Sequence, residues 1–275
     1  MNTQMPDFVL HRGFRWEFES FGSGPEILFA FHGFGNHASD FKVFEPSLGK
    51  KYRIISFSLP YHHGSGPEGN AASILPEDLS SLVAGKAKSM GQPKFSLLGY
   101  SLGGKIVLKI VELIPESIGK VFLFAPDGIR INFSNAFVTR SKLGKKIYRG
   151  IIENPSRFFG FVGLLEKSRL LHGKMAEFLR SSLSTRHKRE MVWNVWITFR
   201  DINPDIKKVA GLINRNHIEL HIFMGAYDRI IPPSVGKKLA DKIVGQNSLH
   251  IVESGHRLIK EKINDTLAEV VGKMQ

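Results

Sequence analysis

The sequence predicts an α/β protein built on a mostly parallel β-sheet. Short apolar runs alternate with segments of helical periodicity, which is the order of βαβ units. Several runs, such as ILFAF (27–31) and VFLFA (121–125), are apolar throughout, as strands covered on both faces should be. With 275 residues and 42% hydrophobic content, the chain can form one large core, or a core and a small second unit.

Six apolar runs are predicted to be buried strands, and a seventh run is predicted to be an exposed early strand because it alternates in polarity. The buried runs are 27–32, 53–57, 95–99, 120–125, 218–225 and 248–252, and the alternating run is 15–21. After the 95–99 run, Ile106, Ile110, Leu113 and Ile114 share one helical face. Pro115 marks the end of that helix.

Residues 129–205 interrupt the alternation with several helical patterns and no clear buried strand. We therefore predict a core of 1–128 and 206–275, interrupted by a helical insertion at 129–205. One more helix is expected at 205–215 before the next strand. The insertion is rich in aromatic residues: Phe133, Phe137, Tyr148, Phe158, Phe159, Phe161, Phe178, Trp193, Trp196 and Phe199.

The net charge of +13 is concentrated in the insertion, which carries 15 Lys/Arg and 6 Asp/Glu and so accounts for +9. A basic balance is typical of proteins that meet nucleic acid, an anionic membrane or an acidic substrate. A solvated, solubilising surface is the alternative. Because no RNA-binding or DNA-reading motif is recognisable, no specific nucleic-acid partner is predicted.

The absence of Cys excludes disulfides, Cys-based zinc sites and a Cys nucleophile, and fits a reducing compartment. The N-terminal segment shows no apolar region typical of a secretory signal. Lys105, Lys109 and Glu112 interrupt the longest apolar run, so no transmembrane segment is predicted. We expect a soluble, cytoplasmic protein of unknown oligomeric state.

The stretch LLGYSLGGKIVLKI (97–110) fits two motifs. Gly99, Gly104 and Lys105 match a phosphate-binding loop, in which a Ser or Thr must follow the Lys to bind Mg²⁺. Ile106 stands at that position, which disfavours the phosphate-binding interpretation. Lys105 is then expected on the helix surface or packed against the sheet.

The second motif is a nucleophile elbow, a strand–turn–helix with Ser101 between Gly99 and Gly103. The glycines are needed because the Ser backbone is strained and the helix packs close to the strand. The Leu102 N–H, at the helix N-terminus, would face an oxyanion. The alternative is a glycine-rich turn with an idle Ser.

Asp228 and His256 are the candidate partners of Ser101. Each follows an apolar strand, and the chain order Ser, Asp, His is the one an α/β-hydrolase triad requires. Taken singly, Asp228 could be a turn residue and His256 a surface histidine. Asp127, after the preceding strand, is a second candidate for the acid.

The loop His32–Gly33–Phe34–Gly35 follows a buried strand and can supply a second oxyanion donor. We choose the Phe34 N–H, because this residue follows His-Gly. His32 is expected to fix the loop by hydrogen bonds.

The chain resembles the α/β-hydrolase superfamily, in its lid-bearing branch of small esterases and C–C hydrolases. The matching motifs are HGFG (32–35), LPYHHGS (59–65), GYSLGG (99–104), GAYDRIIPP (225–233) and GH (255–256). The resemblance implies an eight-stranded, mostly parallel sheet flanked by helices, with a helical cap after the sixth strand. Relatives often read D-L-P-G-H-G-x-S where this chain has Ser58–Ser65, so that Ser58, Tyr61 and His63 replace an Asp and two glycines.

We therefore expect a serine hydrolase of carboxylic esters or thioesters, which needs no metal or organic cofactor. Ser101 argues against epoxide hydrolases and haloalkane dehalogenases, which use Asp at the elbow. His62 and His63 are disfavoured as a metal pair, since adjacent side chains rarely point the same way. A C–C bond hydrolase, a lyase on the same triad and a non-catalytic ligand-binding member of the fold stay open.

The insertion suggests an apolar acyl pocket with a basic entrance, which would suit a small-molecule acyl substrate that is anionic. Aromatic residues at helical spacing can equally form the core of the insertion, and its cations can form a solvated face.

Overall fold

The computed structural model describes residues 7–69, 73–130, 133–245 and 247–272. The first six residues, part of the segment searched for a secretory signal, and the side chain of Phe133 lie outside the described part. The chain divides into two compact units. We call Met1–Arg130 with Ile202–Gln275 the sheet unit, and Ile131–Asp201 the helical unit.

Nine strands of the described residues form one sheet. They are β1 (Asp7–His11), β2 (Phe14–Phe21), β3 (Glu26–Phe31), β4 (Tyr52–Phe57), β5 (Gly66–Pro67), β6 (Phe95–Tyr100), β7 (Ile118–Phe124), β8 (Glu219–Gly225) and β9 (Asn247–Val252). The order is β1-β2-β4-β3-β6-β7-β8-β9, and β5 pairs with β2. β2 is antiparallel to β1, β4 and β5, and the other neighbours are parallel.

The predicted fold class is confirmed: eight longer strands form a mostly parallel sheet, and helices pack on it. The two-residue β5 is an addition, because so short a pair leaves no periodic pattern in the sequence. With β5 left aside, β7 is the sixth strand along the chain, and the helical unit follows it.

The prediction that the early strand is exposed was wrong. In β2, Trp16 and Phe18 are buried on one face, and Glu17 is buried on the other. Trp16 and Phe18 pack edge-on against Phe57, while the Glu17 N–H donates to Ser65 Oγ at 2.8 Å. Glu17 is thus covered by a loop that lies far away in sequence, while Glu19 and Ser20 of the same strand are exposed.

Helices lie between the strands, as the βαβ pattern predicts. Those of the sheet unit are α1 (Glu45–Leu48), α2 (Pro76–Ser89), α3 (Leu102–Leu113), α9 (Ile206–Arg215), α10 (Pro233–Ala240) and α11 (Asn264–Gly272). The predicted helix after the elbow is α3, and Pro115 begins a 3-10 turn directly after it. The predicted helix at 205–215 is α9, and its N-cap Asp205 accepts from the N–H groups of Lys207 and Lys208.

The helical unit contains five α-helices and no strand in its described residues. They are α4 (Phe133–Arg140), α5 (Lys142–Glu153), α6 (Ser156–Lys167), α7 (Gly173–Ser182) and α8 (Arg186–Thr198). Tyr148 of α5 stacks on Trp193 of α8 with ring centroids 5.4 Å apart. Arg189 of α8 is buried and donates to the carbonyls of Ile152 and Leu183. The bond to Ile152 joins α8 to α5. The aromatic residues therefore serve in part as the core of this unit.

Parallel register brings several strand ends to one edge of the sheet. Phe31 of β3 is level with Gly99 of β6, and Phe124 of β7 is level with Phe223 of β8. Segments that follow these strands therefore emerge side by side, at the edge where α/β proteins bind ligands.

Candidate active site

Ser101 lies in the sharp turn between β6 and α3, in a strained conformation. Its φ is 50° and its ψ is −114°, which is rare for a residue with a Cβ. The turn is held by its neighbours, since the Ser101 N–H donates to the Phe124 carbonyl and the Ser101 carbonyl accepts from Asp127 N–H, both at 2.9 Å. The backbone strain expected of an elbow is present at this residue.

Three glycines allow the strand and the helix to approach each other. A Cβ on Gly99 would lie 2.6 Å from the Gly103 carbonyl oxygen, and one on Gly104 would lie 2.5 Å from Cβ of Pro126. A Cβ on Gly103 would overlap the Phe31 carbonyl. No side chain fits at these positions without moving backbone, as the elbow motif predicts.

Asp228 and His256 form a continuous hydrogen-bonded chain with Ser101. Oδ2 of Asp228 is 2.7 Å from Nδ1 of His256, and Nε2 of His256 is 3.1 Å from Oγ of Ser101. Asp228 is 2% exposed, and its Oδ1 accepts from the N–H groups of Ile230 and Ile231 at 2.8 and 2.9 Å. The carboxylate is therefore fixed by three contacts, and one of its oxygens is directed at the imidazole.

The loops that carry Asp228 and His256 are tied together by backbone contacts. The Tyr227 N–H donates to the Ser254 carbonyl at 2.9 Å, and the Tyr100 hydroxyl donates to the His256 carbonyl at 3.1 Å. Burial raises the pKa of Tyr100, which keeps its hydroxyl protonated as that donor. Residues that end or directly follow β6, β8 and β9 thus hold the imidazole beside Ser101.

Asp127, the second candidate for the acid, faces a different partner. Its Oδ1 accepts from the Gly128 N–H at 2.7 Å. A Cβ on Gly128 would lie 3.0 Å from Cα of Lys105, so Lys105 packs beside the loop after β7. Lys105 is thus half-buried beside this loop.

Phe34 follows β3 and Leu102 follows Ser101 at the end of β6, and β3 and β6 are neighbouring strands of the sheet. A Cβ on Gly33 would be 3.1 Å from Cβ of Ser101, so the loop that carries Phe34 passes directly beside the elbow. Leu102 is the first residue of α3, where an N–H has no acceptor within the helix. In the described residues, the Phe34 N–H likewise has no hydrogen-bond acceptor.

His32 fixes the loop after β3, as predicted. It is fully buried, its Nε2 accepts from the Leu59 N–H at 3.0 Å, and its Nδ1 lies 2.8 Å from the Gly33 carbonyl. Since Nε2 accepts, Nδ1 carries the proton and donates to that carbonyl. Burial lowers the pKa of His32 well below its usual value, so the ring is neutral.

His62 also holds the loop after β3, a role that sequence reasoning missed. Its Nε2 accepts from the Gly35 N–H at 2.9 Å, and its Nδ1 lies 3.1 Å from the Pro60 carbonyl. It therefore holds the far end of the loop that carries Phe34. Burial lowers the pKa of His62 to about 4. The sequence signal for this role was that His62 lies between Tyr61 and His63, two positions where relatives often have glycine.

Those two positions have a backbone conformation that glycine favours. Tyr61 has φ 67° and His63 has φ 53°, so both replacements of glycine occupy the left-handed region. His62 is buried between them, whereas His63 is exposed. The two histidines therefore do not point to one place, and within the described ranges no three His, Asp or Glu side chains form a group that could hold a metal ion.

Comparison with known proteins assigns the family. The model of the alpha/beta hydrolase fold matches residues 26–263, and the chain belongs to this family. Over 259 residues it is 30% identical to the dihydrolipoyllysine-residue acetyltransferase component of the acetoin cleaving system of Pseudomonas putida, covering 90% of this chain and 62% of that protein. The chain thus spans less than two thirds of that relative.

Two further similarities agree with this assignment. A 2-hydroxy-6-oxononadienedioate/2-hydroxy-6-oxononatrienedioate hydrolase of Dechloromonas aromatica is 24% identical over 79% of this chain and 76% of its own. An esterase of Thermogutta terrifontis has the same fold, with a TM-score of 0.69 and 17% identity over 98% of this chain and 99% of its own. No helix in the described part of the chain is both long and apolar enough to cross a bilayer.

Proposed function

We propose that this protein is a serine hydrolase that cleaves a carboxylic ester or thioester through Ser101, His256 and Asp228. The observation that carries the proposal is the unbroken chain from Asp228 Oδ2 to His256 Nδ1 and from His256 Nε2 to Ser101 Oγ, with lengths of 2.7 and 3.1 Å. A nucleophile in contact with a base that is oriented by a third group is the signature of covalent acyl transfer.

In the first step, Ser101 Oγ attacks the carbonyl carbon of the substrate and forms a C–O bond. His256 Nε2 takes the hydroxyl proton, and the imidazolium that forms is stabilised by Asp228. When the tetrahedral intermediate collapses, the bond to the leaving alcohol or thiol breaks and Nε2 returns the proton to that group. Ser101 is left as an acyl-enzyme.

In the second step, water attacks the acyl-enzyme. His256 accepts a proton from the water and then donates it to Ser101 Oγ as the acid is released. The chain's own groups suffice for both steps, so the mechanism requires no metal or organic cofactor.

The N–H groups of Phe34 and Leu102 are the proposed donors to the oxyanion. Leu102 contributes the N-terminal end of α3, where the helix dipole favours negative charge. Phe34 is held beside Ser101 by Gly33, and its loop is anchored by His32 and His62. Loss of one such donor typically costs about 3–4 kcal/mol of transition-state stabilisation.

We propose that the helical unit is the cap that the sequence predicts. Its place in the chain supports this role, because it follows β7, the sixth of the longer strands. The side chains that line the substrate pocket would decide the acyl group and the type of bond cleaved.

A C–C bond hydrolase is the second candidate. The similarity to the Dechloromonas aromatica hydrolase over 79% of the chain favours it, and the same triad can serve either reaction. A direct comparison of substrates separates the two. Aryl esters and acyl thioesters of graded chain length would be turned over by an esterase, while a 2-hydroxy-6-oxo dienoate would be cleaved by a C–C hydrolase.

The decisive experiment is labelling with a fluorophosphonate, which reacts only with an activated serine. The wild type should be labelled and Ser101→Ala should not, while Ser89→Ala on the exposed face of α2 is the matched control and should be labelled normally. Ser101→Ala and His256→Ala should each lower kcat by several orders of magnitude. Labelling that persists in Ser101→Ala would refute the proposal by assigning the nucleophile to another serine. A wild type that is never labelled would refute it in favour of a ligand-binding protein.

A further inference from the structure

The outer surface of α5 in the helical unit has a pattern that hydrolysis does not explain. Four cations lie on this helix: Lys142, Lys145, Lys146 and Arg149. At 100° per residue they fall within one face of the helix, since their spacings are three, one and three residues. All four are exposed, and they line a groove that runs along the helix to Gly150 and Glu153.

These four cations have no ion-pair partner among the described residues. Three arginines elsewhere in the unit are paired: Arg140 with Asp201, Arg180 with Glu166 and Arg186 with Glu190. The α5 cations are thus four charges, unpaired in the described part of the chain, close together on one helix face. An anionic partner would gain most at this face.

Beside the cations lies an exposed apolar stripe. Leu143 is 60% exposed and Ile147 is 48% exposed, and their i, i+4 spacing puts them next to each other on the helix. Gly144 and Tyr148 lie on the buried face of the helix, which packs in the core of its unit. The basic face and the apolar stripe adjoin each other and are both exposed. On α6, Phe161 and Leu164 are also exposed, at 57% and 63%.

We propose that α5 docks this protein onto an anionic membrane surface. Basic residues next to exposed aliphatic residues on one helix are the pattern of helices that lie in the lipid interface. Lysine is suited to many lipid phosphates because its ammonium is a mobile point charge, whereas a defined phosphate ligand is better bound by the fixed fork of arginine. Leu143 and Ile147 offer nothing to a nucleic acid, but they can enter the boundary between headgroups and acyl chains.

The test is cosedimentation with lipid vesicles, using Ser101→Ala protein so that no lipid can be hydrolysed through the proposed triad. Its outcome is therefore independent of the proposed hydrolase function. The protein should sediment with vesicles of phosphatidylcholine mixed with phosphatidylglycerol and much less with phosphatidylcholine alone. Binding should weaken as salt is added, because exposed charges are screened.

The variants isolate the helix. Removing both charges in Lys145→Gln/Lys146→Gln should weaken binding about 25-fold, since each basic residue near the surface contributes roughly fivefold. Leu143→Ser should weaken it about tenfold through lost apolar burial. Lys237→Gln/Lys238→Gln on α10 is the matched control, an adjacent exposed pair in the sheet unit, and should bind like the parent. Circular dichroism establishes that each variant is folded.

Three results would overturn the proposal. Equal binding to both vesicle types would exclude the anionic surface, and an equal loss in the α10 control would show a general charge effect. Inorganic phosphate that displaces the vesicles, where chloride of equal ionic strength does not, would instead assign the groove to a soluble anion.

Discussion

His62 should make the stability of this protein fall as the pH falls from 6.5 to about 4. In the folded chain its Nε2 accepts the Gly35 N–H at 2.9 Å, which requires an unprotonated nitrogen. Burial lowers the pKa of His62 from 6.5 to about 4, while the unfolded chain keeps the usual value. The perturbation that tests this is His62→Gln, whose Oε1 can accept the same N–H and does not titrate.

The sign follows from the protons bound in each state. Between pH 6.5 and about 4, the unfolded state holds a proton on His62 and the folded state does not. The free energy of unfolding therefore falls as the pH falls through this window, by about 1.4 kcal/mol per pH unit and about 3 kcal/mol in all. Above pH 6.5 this effect vanishes. His32, whose pKa is also lowered by burial, acts in the same direction.

Urea unfolding at several values between about pH 5 and 6 measures the slope directly. The slope for His62→Gln should be smaller than that of the wild type by about 1.4 kcal/mol per pH unit, whatever the variant loses in absolute stability. His187→Gln on α8 is the control for replacement of an exposed histidine. Equal slopes for wild type and His62→Gln would refute the reasoning, because His62 would then titrate alike in both states.

Three further predictions concern the site and its backbone. Asp228→Asn should lower kcat roughly 10³–10⁴-fold, and Asp127→Asn should have a far smaller effect. Steady-state assays measure both variants, and the opposite ranking would assign the acid to Asp127. Gly103→Ala should cost roughly 3 kcal/mol in urea unfolding, because its Cβ would overlap the Phe31 carbonyl, whereas Gly85→Ala on α2, with open space around it, should be neutral or stabilising. His63→Gly should change stability by less than about 1 kcal/mol, and His63→Val should cost about 1–2 kcal/mol more, since φ is 53° there; equal thermal shifts for the two would contradict this.

Most of the sheet could be predicted from the sequence because the central strands are apolar on both faces. That signal is local, and it gave the runs that become β3, β4 and β6–β9 nearly to the residue. The burial of β2 could not be predicted in this way. Its Glu17 is covered by Gly64 and Ser65, whose N–H and hydroxyl contact it across more than forty residues of chain.

The same distinction applies to the site. Ser101, Asp228 and His256 could be nominated because each follows a predicted strand, and parallel strands bring their ends to one edge. The part played by His62 could not, because its partner Gly35 is 27 residues away and is recognised only through a backbone N–H. A sequence motif shows which side chains occur together, but it does not show which backbone N–H groups need a hydrogen-bond acceptor.

Backbone strain is concentrated around the site. Of the seven non-glycine residues with positive φ in the described chain, Ser101 and Ala125 directly follow β6 and β7, and Tyr61 and His63 flank His62. Such conformations cost about 1–3 kcal/mol each and persist only where the surroundings fix them. Ser101 and Ala125 are fixed by hydrogen bonds from their N–H groups to the carbonyls of Phe124 and Phe223, which extend the strand pairing past the ends of the strands. The sheet thereby stabilises the backbone conformation of Ser101, and the close contacts at Gly99, Gly103 and Gly104 leave no room for a larger side chain beneath it.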